Sequence, residues 1–117
     1  MVSFACKEVK LEEIIKCSFD FNKTEYKVFT FLLRLDKSIT VIGISNRIKL
    51  DRSTVQKAIR KLVNRDLILR KQRNLPKGSY VYLYKLKDKI KIKKNLKEII
   101  RNWSNSAEQA INYLLCT

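Results

Sequence analysis

The sequence predicts a mainly α-helical domain that carries one small β-hairpin and ends in a long helix. Apolar residues recur at helical spacing through most of the chain, which favours helices over strands. The only proline and one of the two glycines stand together between two strand-like segments, which is typical of a hairpin turn. A chain of 117 residues has room for one modest core, so a two-domain enzyme is excluded.

The first third of the chain predicts two helices. A short one is expected from about Val9 to Lys16, on an apolar stripe of leucine and isoleucine. The next is expected from Lys23 to Leu35, because Asn22 can cap it and Glu25 completes a capping box. Apolar residues cover most of its circumference, which indicates a central helix with neighbours on several sides.

Two further helices follow at close spacing. Thr40 is placed to cap a helix of about two turns, from Val41 to Ile48. Asp51 and Ser53 are both possible caps for a helix over about 52–65. This helix has one apolar stripe, and its other face is polar and basic.

Two antiparallel strands are expected next, over Leu67 to Arg73 and Tyr80 to Leu86. The second is rich in tyrosine and valine, and the turn between them contains Pro76, Lys77 and Gly78. The pattern therefore predicts a β-hairpin with a basic tip.

The last helix is expected from about Asp88 to Leu115, at roughly 40 Å from a rise of about 1.5 Å per residue. Its apolar stripe consists of Ile92, Leu96, Ile100, Trp103, Ala107, Ile111 and Leu114. A domain of this size cannot bury so long a stripe, so we expect a second copy of the helix to cover it in a homodimer. The alternative is that the helix docks back on its own core.

The positive charge belongs to the middle of the chain. Residues 1–36 carry six bases and six acids, whereas residues 37–103 carry 20 bases and four acids. These bases alternate with regularly spaced apolar residues, so they belong to the surface of folded elements rather than to a tail. Binding of a polyanion is the interpretation that this imbalance favours, and an ordinary solvated surface is the alternative.

The missing residue types exclude most catalytic chemistry. The chain has no histidine, and its two glycines cannot form a phosphate-binding or dinucleotide-binding loop, so no enzyme activity, cofactor or metal is expected. Cys6, Cys17 and Cys116 are interpreted as packing residues, with a Cys6–Cys17 disulfide as the alternative in a hyperthermophile. Without an apolar run of membrane length or a signal-like segment, we expect a cytoplasmic protein associated with the nucleoid and no membrane contact.

The order of helix, helix, turn, basic helix and basic hairpin over about 21–86 is that of a winged helix-turn-helix. Within it, the stretch Ser38–Leu62, above all Leu50-Asp51-Arg52-Ser53-Thr54-Val55, resembles the MarR and TrmB-like regulators of archaea and bacteria. The resemblance implies a dimeric transcriptional regulator whose third core helix enters the DNA major groove while the wing contacts the backbone or minor groove. Two departures are Asp66, where glycine is frequent, and the apolar Ile42-Gly43 at a usually polar helix start.

Double-stranded DNA is therefore the expected partner. Side chains that offer forked or paired hydrogen bonds read base edges, whereas other lysine and arginine side chains contact phosphates. The expected base-reading residues are Ser53, Thr54, Gln56, Lys57 and Arg60. The expected backbone contacts are Arg47, Lys49, Arg52, Lys61, Arg70, Lys71, Arg73 and Lys77.

These expectations divide the chain into an N-terminal segment (1–20), a DNA-binding domain (21–86) and a C-terminal dimerisation helix (87–117). The leading hypothesis is a dimeric, sequence-specific transcriptional regulator. A winged helix used as a protein-interaction module and a nonspecific architectural nucleic-acid binder are the alternatives, because one fold serves several functions. The sequence contains no motif that identifies a small-molecule effector.

Overall fold

The computed structural model describes residues 2–3 and 8–116, with side chains from residue 8 onward. The helices are α1 (Leu11–Phe19), α2 (Lys23–Leu35), α3 (Val41–Ile48), α4 (Arg52–Asn64) and α5 (Lys89–Leu115). The strands are β1 (Val2–Ser3), β2 (Glu8–Val9), β3 (Ile68–Asn74) and β4 (Tyr80–Leu86), which form two antiparallel pairs. The predicted fold class, mainly helical with a small hairpin and a long last helix, is confirmed.

Helix α2 has the bounds and the cap that its sequence predicts. The Asn22 side chain accepts a hydrogen bond from the Glu25 amide at 2.8 Å, and the Glu25 side chain accepts one from the Asn22 amide at 2.9 Å. This capping box satisfies two amides that have no partner within the helix. The helix buries Val28, Phe29 and Leu32 and lies against α1, α3 and α4, which fits its predicted central position.

Helices α3 and α4 form the helix-turn-helix. The Thr40 hydroxyl caps α3 by accepting from the Gly43 amide at 3.0 Å. A Cβ atom on Gly43 would lie 2.7 Å from Cγ1 of Ile39, so a larger residue there would force the Ile39 side chain to shift. Lys49 then takes a left-handed conformation (φ 56°), and the chain turns into α4 at Asp51.

The core lies between α2, α3, α4 and the base of the hairpin. Each element contributes one apolar stripe, and α1 adds the aromatic contact between Phe19 and Phe21 (ring centroids 5.4 Å apart). The most deeply buried side chains are Val28, Ile44, Val55, Ile59, Leu62 and Leu67. This core fixes how α4 and the hairpin are held relative to each other.

The hairpin pairs Ile68 with Leu86 at its base and Asn74 with Tyr80 at its tip. Lys77 (φ 69°) and Gly78 (φ 80°) both have left-handed backbone in the turn, and a left-handed residue is most easily supplied by glycine. At the other end, an isolated bridge joins Ile39 to Tyr84 through two hydrogen bonds of 3.0 and 2.8 Å. The base of the hairpin is thus tied to the segment that leads into α3, while its tip projects.

Helix α5 packs against the core only through its first part. Ile92 is 8% exposed, and Leu96 and Ile99 are half-buried against the core. From 101 to 116 every side chain except that of Ala107 is exposed. The molecule therefore measures 71 × 23 × 22 Å, far longer than it is wide. None of the helices in the described part of the chain has the length and apolar character needed to cross a membrane.

The N-terminal segment departs from its prediction. Helix α1 begins at Leu11 instead of Val9, because Val9 pairs with Val2 in an antiparallel strand pair that the helical spacing did not indicate. Asp66, at the position where glycine is frequent in the families that the chain resembles, has a left-handed backbone (φ 61°), which aspartate tolerates.

The interpretation of the cysteines as packing residues is wrong for two of them. Cys17 and Cys116 are exposed free thiols. Cys17 is two residues before the buried Phe19, about 200° around the helix, so it faces away from the core. Cys116 follows the last turn of α5, beyond the reach of the core. Cys6, and with it the alternative Cys6–Cys17 disulfide, lies outside the described residues.

Candidate nucleic-acid interface

The exposed face of α4 is the centre of the candidate interface. Its apolar stripe is fully used by the core through Val55, Ala58, Ile59 and Leu62. At 100° per residue, the positions on the opposite side of the helix carry polar or basic side chains that are exposed. They are Ser53, Lys57, Arg60 and Asn64. Three of these are predicted base-reading residues, and the packing of α4 directs them away from the domain.

A cleft of about 510 Å³ separates α4 from the hairpin. Two guanidinium groups line it, and no lining residue among those described is acidic. The Arg70 guanidinium lies over the Tyr82 ring, 4.5 Å from its centroid. This cation–π contact restrains Arg70 beside the helix. The lining residues are Gln56, Ile59, Arg60, Val63, Asn64, Arg70, Tyr82 and Tyr84.

The other flank of α4 faces α2 and is different in character. Thr54 is half-buried there, in a second cleft of about 270 Å³ that Lys57 and Glu25 also line. The Lys61 ammonium lies 3.7 Å from carboxylate oxygens of both Asp20 and Glu25. Among the residues that the structure describes, Lys61 is the only predicted DNA contact that takes part in an ion pair. The structure thus separates Thr54 and Lys61 from the exposed face of α4.

The start of α4 is organised by the carboxylate of Asp51. The Ser53 hydroxyl donates to Oδ2 at 2.6 Å, and the Thr54 hydroxyl donates to Oδ1 at 2.6 Å. The Thr54 amide also donates to Oδ2, at 3.3 Å. These donors, the Ser53 hydroxyl first, lower the pKa of Asp51 to about 2. Asp51 thereby occupies the Thr54 amide at the start of α4.

The remaining predicted phosphate contacts are exposed and form two groups. Arg47, Lys49 and Arg52 lie at the turn between α3 and α4. Arg70, Lys71, Arg73 and Lys77 lie along β3 and the hairpin tip, where every β3 residue except Ile68 is exposed. A strand that buries only one of its seven residues adds little to the core, so its basic composition has no packing explanation.

Two polar residues of this surface were not predicted as site residues. Asn64 ends α4 on the exposed face, and Tyr82 supports Arg70 in the cleft. The helical spacing from Lys57 and Arg60 could have indicated Asn64. Tyr82 follows only from the strand register, because Arg70 pairs with Tyr84 and Tyr82 is its diagonal neighbour.

The stripe predicted for dimerisation is divided by the structure. Its first two positions, Ile92 and Leu96, serve the domain's own core. Beyond them Ile100 and Ile111 are exposed, and Trp103 is 64% exposed. Leu114 is also exposed and Ala107 is half-buried.

Comparison with known proteins gives a family match over most of the chain. The model of the family described as "Sugar-specific transcriptional regulator TrmB" matches residues 15–89. The uncharacterized protein MJ1503 of Methanocaldococcus jannaschii is 31% identical over 93% of this chain and 82% of its own length. A second protein of that organism, MJ1082, is 28% identical over 92% of this chain and 88% of its own length.

Solved structures show the same architecture. A possible transcriptional regulator from Methanosarcina mazei Go1 has a TM-score of 0.86 and 37% identity, covering 97% of this chain and 95% of that one. A protein of the thermoacidophilic archaeon Sulfolobus tokodaii has a TM-score of 0.69 and 23% identity, covering 82% and 93%. The second of these similarities shows the fold alone.

Proposed function

We propose, since this chain belongs to the TrmB family of transcriptional regulators, that it binds double-stranded DNA sequence-specifically as a homodimer. Membership of this family indicates that the chain is a transcriptional regulator of the winged-helix type and not an enzyme. In our proposal residues 21–86 form the DNA-binding domain and residues 87–117 form the dimerisation helix. Such binding places the protein on the chromosome.

The observation that carries the proposal is the exposed face of α4, next to a cleft with two arginines. A major groove about 12 Å wide admits one α-helix. Arg60 is suited to guanine and Gln56 to adenine, since each can form two parallel hydrogen bonds with its base. They are four positions apart, so they lie on the same flank of the helix and address neighbouring base pairs. Ser53 and Lys57 extend the contact towards the start of α4.

The hairpin supplies the contacts that position the protein. Arg73 and Lys77 are exposed near its tip, where a DNA backbone running beside the groove would lie. Arg70 is held in the cleft by Tyr82, so it contacts the backbone between the helix and the wing. Phosphate contacts of this kind supply affinity and orientation but carry no sequence information.

The exposed part of α5 supports the homodimer. Trp103 and Ile111 lie on one stripe of a helix that extends past the core, and large apolar side chains at such a position are typical of an interface. A twofold axis between two such helices makes the interface self-complementary. The DNA site would then be a pseudo-palindrome with half-sites about 34 Å apart, or a multiple of that distance.

Selection of bound duplexes from a randomised pool tests this function. The full-length protein is expected to enrich one pseudo-palindromic sequence. Arg60→Ala and Gln56→Ala should each reduce binding to it by about 1 to 3 kcal/mol and relax the preference at one position per half-site. Lys77→Ala is the matched control, since it removes a cation that contacts only phosphate and should weaken all sequences equally.

Two results would contradict the proposal. Equal effects of the three substitutions on every sequence would favour a nonspecific architectural binder. Absence of duplex binding near physiological salt would favour a protein-interaction module.

A further inference from the structure

At the start of α4, hydrogen bonds join Asp51 to Ser53 and Thr54, and the donor and the acceptor of each bond are fixed. Ser53 Oγ lies 2.6 Å from Asp51 Oδ2 and is exposed on the face of α4 that we assign to DNA. Thr54 Oγ1 lies 2.6 Å from the other carboxylate oxygen and is half-buried towards α2. Ser53 is therefore the member of this group that can reach a base edge.

The chemistry of the carboxylate determines which partner donates. An ionised carboxylate has only acceptor oxygens, so each hydroxyl must be the donor in its contact with Asp51. A serine hydroxyl has one hydrogen and two lone pairs. With its hydrogen directed to Asp51, Ser53 can offer only its lone pairs to a further partner.

The major groove distinguishes bases by such polarity. Adenine N6 and cytosine N4 are donors, whereas the exocyclic groups of guanine and thymine, O6 and O4, are acceptors. A hydroxyl that can only accept forms a hydrogen bond with the amino group of adenine or cytosine, but not with guanine or thymine. A freely rotating hydroxyl can either donate or accept, so it would form a hydrogen bond with any of the four bases.

We propose that Asp51 is a positioning residue for sequence recognition, which fixes the Ser53 hydroxyl as an acceptor and so makes Ser53 select adenine or cytosine. This inference rests on the proposed function, because it requires α4 to lie in the major groove. It assigns a role in specificity to a residue that itself need not contact DNA.

Selection from the randomised pool, repeated with four full-length variants, tests the inference. Ser53→Ala identifies the position that Ser53 reads, where the wild type should prefer adenine or cytosine by about threefold to tenfold, as expected for one hydrogen bond. Asp51→Gly frees the hydroxyl to rotate and should abolish that preference while leaving the other positions unchanged. Glycine is tolerated at an N-cap, so α4 should remain folded.

Asp51→Asn is the conservative variant that should restore the preference. The Thr54 amide donates to the same oxygen, Oδ2, that accepts the Ser53 hydroxyl. An asparagine that caps α4 must therefore place its amide oxygen there, where it also accepts from Ser53. Asp88→Gly makes the same change at the N-cap of α5, where Asp88 accepts from the Ile90 amide at 2.9 Å, and should leave the base preferences unchanged.

A chemical substitution in the DNA gives a second readout. Replacing the selected base by its analogue without the exocyclic amino group should weaken the wild type about threefold to tenfold. The same replacement should have no effect on Ser53→Ala, because the hydroxyl that the amino group contacts is already absent.

Several results would overturn the inference. These are guanine or thymine at the position that Ser53→Ala relaxes, an unchanged preference in Asp51→Gly, and loss of the preference in Asp51→Asn. If the protein still selects a sequence but none of its positions responds to Ser53→Ala, the inference is overturned and the proposed function is not. No enriched sequence at all would contradict the proposed function and with it this inference.

Discussion

Replacement of Trp103 by alanine should convert the proposed dimer into monomers. Trp103 is 64% exposed in a single copy and lies in the middle of the stripe that continues along α5 past the core. It lies beyond the part of α5 that packs against the core, so its removal should leave the fold intact. Any effect on assembly therefore reports on the contact between two copies.

The size of the effect follows from the area that Trp103 leaves uncovered. A tryptophan buries up to about 250 Å² when it is fully enclosed, so about 150 Å² remains available to a partner. If half of that area is covered in the dimer, at about 25 cal/mol per Å², each subunit gains about 2 kcal/mol. The symmetric dimer contains this contact twice, so W103A should raise the dissociation constant roughly 1,000-fold, for about 4 kcal/mol.

Sedimentation equilibrium over a range of concentrations measures this dissociation constant. Tyr113→Ala is the matched control, because Tyr113 is an aromatic residue that is also exposed, at 80%, but lies off the stripe. Trp103 is the chain's only tryptophan, so its fluorescence gives an independent measurement in the unmodified protein. Its emission should shift to shorter wavelength as concentration rises and the dimer forms.

A wild-type protein that remains monomeric at micromolar concentration would contradict the proposed dimer. A dimer whose dissociation constant is the same in the wild type and W103A would refute the proposed contact through Trp103. An emission maximum that stays at the wavelength of a hydrated indole throughout the titration would locate the interface elsewhere on the molecule.

Three further predictions concern the wing, the core and the cap of α4. Lys77→Ala should make the plot of log affinity against log salt shallower by about two per dimer, since each phosphate contact contributes about 0.9 to the slope. The control, Lys10→Ala, changes a lysine before α1 and should leave the slope unchanged. Equal slopes for the wild type and both variants would argue against the wing contact. Ile59→Ala should lower the free energy of unfolding by about 2 to 5 kcal/mol in a denaturant titration because Ile59 is fully buried, whereas Ile90→Ala, at a side chain 76% exposed, should change it by less than about 0.5 kcal/mol. A similar loss in both variants would contradict the assignment of the core. Because the folded state lowers the pKa of Asp51 to about 2, its hydrogen bonds stabilise the fold above about pH 4, and this contribution disappears as the pH falls from 4 to 2. Thermal unfolding from pH 5 to pH 2 should show a smaller acid-induced loss for Asp51→Asn than for the wild type, and identical profiles would show that Asp51 is not responsible.

The local elements of this protein could be predicted from its sequence. The starts of α2 and α3 follow from Asn22, Glu25 and Thr40, because a cap acts within four residues of the side chain that forms it. The hairpin follows from its turn residues and its strand composition for the same reason. The polar face of α4 follows from the period of the helix, since a residue that is opposite to the core stripe must be exposed.

The tertiary structure decided which of these features act together. Val9 lies outside the first helix because it pairs with Val2. Lys61 is directed away from the exposed face of α4 because it pairs with Asp20 and Glu25. The Arg70 side chain lines the cleft because β4 places Tyr82 diagonally across from it, and the guanidinium lies over the Tyr82 ring.

In helix α5, too, one feature follows from the sequence and another follows from tertiary packing. The continuous apolar stripe of α5 could be predicted, because it depends only on the spacing of residues along one helix. Only the packing of the domain decided where the core ends and the exposed stripe begins, between Ile99 and Ile100. Which face an element presents is set by residues near each other in the chain, whereas what covers that face depends on residues brought together from distant segments.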